Sequence, residues 1–169
     1  MIEVVIDSIR ISLVSQHRIV MLKDQDTERQ LAIWIGPCEA DAITIELGNT
    51  EVARPLTHDL LKNSIEELGG SISHILINEL RDQVYYARLF VDVDGDLKEI
   101  DCRPSDSIAL AVRAKVPIFV EEPVMDEAGI PPEPDLFEEE EEEAVEPESL
   151  DAFSDFVDTL DFDDFEGDA

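Results

Sequence analysis

Three short segments of this chain set acids, a histidine and arginines at the openings of helices. They are Ile35-Gly36-Pro37-Cys38-Glu39, Arg54-Pro55-Leu56-Thr57-His58-Asp59 and Asp101-Cys102-Arg103-Pro104-Ser105-Asp106. Each carries a proline that can begin a helix, because the N–H it lacks has no intrahelical partner there. Glu39, Asp59 and Asp106 fall in first helical turns. With Asp101 at a strand end they are candidate catalytic carboxylates, and the three first-turn acids are candidate ligands for Mg²⁺ or Mn²⁺. His58 could serve as general base or as a metal ligand. Arg54, Arg103 and Arg113 could contact a phosphate, which helix N-termini also favour. The competing account is structural. First-turn acids stabilise a helix by roughly 0.3–1 kcal/mol, Arg54 and Arg103 could pair with neighbouring acids, and Thr57 and Ser105 could be caps alone. Whether Glu39, Asp59 and Asp106 come within metal-sharing distance separates the two accounts. No Gly-rich phosphate loop, Cys–His pair or zinc spacing offers a different enzyme class.

The elements that must position these groups follow from hydrophobic periodicity. Ile2–Val14, Arg18–Leu22 and Arg29–Ile35 alternate as strands. Cys38–Leu47 reads as a helix ending at Gly48-Asn49, and Asp59–Leu68 as a second, with Thr57 as its N-cap. Ile72–Leu80 and Val84–Val93 form a hairpin across Arg81-Asp82-Gln83, and Leu97–Cys102 returns after Asp94-Gly95-Asp96. A third helix follows Pro104, with Ile108, Ala109, Val112 and Val116 on one face. Pro117 ends it, and Ile118–Val120 is a short buried strand. The order β-β-β-α-α-β-β-β-α-β predicts an α+β domain with a largely antiparallel sheet and three helices. The strands on either side of the last helix could pair parallel.

This compact domain is expected over residues 1–125. Beyond it the composition changes. Residues 126–149 read as a disordered acidic linker, punctuated by proline and carrying the run Glu138–Glu143. Residues 150–169 set Leu150, Phe153, Phe156, Val157 and Leu160 at helical spacing among aspartates, as in a motif that folds on a protein partner. The net charge is −30, of which residues 127–169 carry −19 without a single Lys or Arg. Such a balance weighs against long-range attraction to nucleic acid, whose binding usually rests on Lys and Arg. Cys38 and Cys102 are expected to be free thiols in or near the core. The chain opens on a strand-like segment with no leader and no membrane span, so a soluble cytoplasmic protein without a membrane partner is expected. A homo-oligomer is left open.

The segments 35–43, 54–60 and 101–113 resemble the signatures of the bifunctional nuclease domain family, in colinear order over about residues 1–125. The resemblance implies an α+β domain and, as in plant relatives, cleavage of both RNA and DNA. Phosphodiester hydrolysis needs an activated water and a cationic clamp or Lewis acid on the phosphate, roles that the residues above could fill. Ser107 departs from the family pattern, in which alanine is usual, and the acidic tail lies outside it. The alternative function is a non-catalytic interaction or regulatory module whose tail, residues 150–165, binds a protein partner.

Overall fold

The computed structural model describes residues 1–11 and 17–132. Its strands are β1 (Ile2–Ile11), β2 (Arg18–Asp24), β3 (Gln30–Ile35), β4 (Gly70–Arg81), β5 (Val84–Val93), β6 (Asp96–Cys102), β7 (Ile118–Val120) and β8 (Gly129–Ile130). The helices are α1 (Pro37–Leu47), α2 (Thr57–Glu67), α3 (Pro104–Ala114) and α4 (Glu122–Ala128). The linker beyond residue 132 and the Phe/Asp motif at 150–165 lie outside the described residues.

All eight strands join one sheet in the order β6-β5-β4-β7-β1-β2-β3-β8. Every pairing is antiparallel except β4 with β7. The strands flanking α3 therefore do not pair with each other. β6 lies at one edge, and α3 carries the chain over β5 and β4 to insert β7 beside β4. The β4–β5 turn holds Asp82 and Gln83 at φ 50° and 63°, a two-residue geometry that matches the strand twist without glycine.

The core forms where the helical layer covers the sheet. Val20, Leu22, Leu31, Ile75, Ile77 and Ala87 are fully or almost fully buried beneath the helices. α3 is the central helix and packs against α1, α2, β4 and β5. Ile108, Ala109, Leu110 and Ala111 are all buried, so the single apolar face expected from the sequence is too narrow a description. Small Ala109 and Ala111 admit neighbours on flanks that an outer helix would expose. Ser107 is also fully buried, and its hydroxyl donates to the Pro104 carbonyl at 3.0 Å. The hydroxyl is thus satisfied, and its burial carries little penalty.

Two readings of helix boundaries are corrected. Among the described residues there are four helices rather than three, because Pro123 stands in the first turn of α4 and is not a linker breaker. α4 buries Val124 and Met125, and the following Gly129–Ile130 pairs with β3. In α2 the N-cap is Leu56 rather than Thr57. Its backbone N–H donates to the Asp59 carboxylate at 2.7 Å, so a first-turn acid does the capping.

Candidate active site

α1, α2 and α3 open toward a common region, and the reason is local. Gly36-Pro37 and Arg103-Pro104 each turn a strand end directly into a helix, while Pro55 leads into α2. α1 and α2 both pack on α3, so their first turns are held beside the first turn of the central helix.

Arg103 is the hub. Its Nε donates to Asp106 Oδ2 at 2.7 Å, and its Nη2 donates both to Asp106 Oδ1 at 3.0 Å and to Glu39 Oε1 at 2.7 Å. His58 Nε2 lies 3.3 Å from Asp106 Oδ1. Glu39 from α1, His58 from α2, and Arg103 and Asp106 from the start of α3 thus form one connected cluster. Gly36 permits the approach of Glu39, because a Cβ there would collide with the Glu39 carboxylate. Burial pushes the Asp106 carboxyl up, but hydrogen bonds from Arg103 and His58 outweigh it and hold the group below its ordinary value. Hydrogen bonds to Asp106 and Glu39 push the Arg103 guanidinium well above its own. The cluster therefore presents an ionised carboxylate and a permanent cation.

Asp59 is held differently. Its Oδ1 accepts from Arg113 Nε at 2.6 Å and its Oδ2 from the Leu56 N–H. The Arg113 side chain is only 3 % exposed and also donates to the Ala109 and Ala42 carbonyls at 2.8 and 3.0 Å. This pair ties α2 to α3 and α1 from within. Burial raises the Asp59 carboxyl, but the bonds from Leu56 and Arg113 outweigh it and hold the group below its ordinary value, so it too stays ionised. Arg113 is thus embedded in the helical layer, not displayed toward a substrate.

The remaining candidates lie at the margins. Asp101 faces Arg88 across the β5–β6 pair at 4.0 Å and is largely exposed. Arg54 is exposed and makes no ion pair with a described residue. Cys38 is exposed and Cys102 half-buried, both free, so only Cys102 fits the near-core expectation. Burial, the largest influence, raises the Cys102 thiol and keeps it from acting as a thiolate.

Two clefts meet at the cluster. One of about 570 Å³ runs between α1 and the start of α2, and Glu39, His58, Arg103 and Asp106 line it. The other, about 660 Å³, lies between α2, α3 and the β5–β6 edge, and shares His58, Arg103 and Asp106 with the first. Its walls include Tyr85 and Tyr86, which sequence reading left out. Their places in a strand were legible, but which strand residues face a helix opening depends on the register with β6.

For a divalent cation the fit is divided. Among the described residues, no three His, Cys, Asp or Glu side chains are arranged to hold an ion as they stand. Asp59 has both oxygens engaged by other donors. Glu39 and Asp106 converge on one guanidinium nitrogen, and two carboxylates suit Mg²⁺, which keeps several waters and takes substrate oxygens as well.

Residues 20–133 match the bifunctional nuclease domain, and the chain belongs to that family. It is 39 % identical over 163 residues to an uncharacterised protein of Mycobacterium tuberculosis, covering 96 % of this chain and 97 % of that one. It is 33 % identical over 108 residues to bifunctional nuclease 2 of Oryza sativa subsp. japonica and 30 % identical over 108 residues to bifunctional nuclease 1 of Arabidopsis thaliana. Each plant match covers 62 % of this chain but only 33 % of the plant protein.

Proposed function

We propose that the chain hydrolyses phosphodiester bonds in RNA and DNA at the cleft where Glu39, His58, Arg103 and Asp106 meet. The observation that carries this reading is the convergence of three helix openings on the Arg103 guanidinium. A phosphate entering the cleft meets a cation that is already charged and a helix N-terminus beside it. Arg103 can turn from Glu39 and Asp106 to the phosphate, because its side chain is 67 % exposed.

Asp106 in its ionised state accepts the Nε2 proton of His58. That leaves Nδ1 as the basic nitrogen, able to take a proton from the attacking water. The same relationship of carboxylate to imidazole fixes the tautomer in hydrolases of other folds. Glu39 and Asp106 would hold Mg²⁺ or Mn²⁺, which when bound supplies Lewis-acid stabilisation of the phosphate oxygens. Asp59 and Arg113 act as positioning residues beneath the site.

Cleavage of labelled single-stranded RNA and DNA by the full chain, with Mn²⁺ and in EDTA, tests the reading. Activity is expected in the wild type and is expected to be lost in His58→Ala. Full activity in that variant overturns the proposed role of the cluster. The interaction-module reading rests on residues 150–165, and no contact among the described residues favours it.

A further inference from the structure

The second cleft has a composition that phosphate chemistry does not call for. Leu61 and Ile65 of α2, Tyr85 of β5, Ile100 of β6 and Leu110 of α3 wall it, while its polar rim is His58, Arg103 and Asp106. Leu61 and Ile100 are 44 % and 45 % exposed, so large apolar side chains face solvent around a concave space. A volume of about 660 Å³ with apolar walls and a few converging polar groups is the usual form of a ligand pocket.

We infer that this cleft seats an unstacked nucleobase adjoining the phosphate held at Arg103. The inference rests on the phosphodiester reading above and deepens it. Continuity is the first argument: the cleft shares its rim with the proposed phosphate site, so the same strand reaches both. Charge is the second. Exposed Asp101 lines the cleft and disfavours a second phosphate there, so the uncharged part of the nucleotide is the part that enters. Shape and chemistry are the third. Tyr85 supplies an aromatic wall among aliphatic side chains, a setting that takes the face of any base without reading its edge. A base stacked inside a duplex cannot enter, so the cleft selects unpaired strands and tolerates different sequences.

The test is binding by the full chain to three probes with phosphorothioate linkages that slow cleavage. They are a short single-stranded DNA, its duplex, and a strand of equal length whose sugars carry no bases. Wild type is expected to bind the base-bearing single strand about tenfold more tightly than the abasic strand, the effect of stacking one base, and more tightly than the duplex. Leu61→Ser with Ile100→Ser changes half-exposed positions, and should abolish that preference while leaving abasic binding unchanged. Tyr85→Leu, which keeps the apolar volume, should reduce it. A preference that survives all three substitutions overturns the inference, as does a wild type that binds the abasic strand equally well. Arg103→Met separates this failure from that of the phosphate site. If it weakens all probes alike while the serine variant changes nothing, only the base pocket fails. If it changes no probe, the phosphate reading fails and the pocket with it.

Discussion

Arg103 holds Glu39 and Asp106 through a side chain that is 67 % exposed, whereas the two carboxylates are 15 % and 30 % exposed, so the guanidinium is the partner within reach of a phosphate in solution. Asp106→Asn removes the charge that orients His58, and is expected to lower cleavage at least ~100-fold, the range of a general-base contribution. Circular dichroism should show the fold intact; undiminished cleavage would sink the assignment. Asp59→Ala should behave in the opposite way. It leaves the buried Arg113 guanidinium without its carboxylate, and breaking such a pair costs about 3–5 kcal/mol. Urea denaturation would read this as a large fall in stability; a loss of less than about 1 kcal/mol would show that the pair is not a strut. pH gives a third check. Asp24, Asp59 and Asp106 all lie below the ordinary carboxylate value of 3.8, so the stability they contribute is fully present above that value. It is lost as pH falls through their lower folded values. The urea midpoint should be level from about pH 7 to 5 and then decline, and more gently in Asp106→Asn.

Among the elements, α4 and β8 carry the clearest prediction. Val124 and Met125 are buried, Arg29 pairs with Asp126 at 2.9 Å, and β8 pairs with β3. Limited proteolysis followed by mass spectrometry should give a resistant fragment that extends through Ile130. A fragment ending near Met125 would show that α4 does not protect its own C-terminal half. The same elements show what a single sequence can convey. The openings of α1 and α3 were legible because proline and a first-turn acid act locally. α4 was missed because Pro123 can break a segment or begin one, and only the buried contacts of Val124 and Met125 decide between them. The hub at Arg103 was legible in part. Its three-residue spacing to Asp106 follows from one helix, whereas Glu39 is 64 positions away and joins only through the packing of α1 on α3. Asp59 was grouped with the other acids by its place in a first turn, and nothing local shows that its oxygens belong to Arg113, 54 positions on.

Across the molecule, charge and chain order matter most. Residues 133–169 carry −18 of the −30 total, so removing them is expected to tighten nucleic-acid binding at low salt. A gain that persists at roughly 0.5 M salt, where long-range repulsion is screened, assigns the tail a seat on the phosphate-binding surface. No gain at any salt overturns both effects. The insertion of β7 between β4 and β1 has a different kind of consequence. Among the described residues, the strands β1-β2-β3 and β4-β5-β6 are two meanders that touch within the sheet only through Ile118–Val120. During synthesis each meander can zip up as it emerges, but both must wait with a bare edge, β1 and β4, for three residues made near the end of the domain. Such edges invite pairing with another chain. The interval between emergence of β4 and arrival of β7 is therefore the period when a nascent chain is most exposed to aggregation, and a chaperone would find its task there.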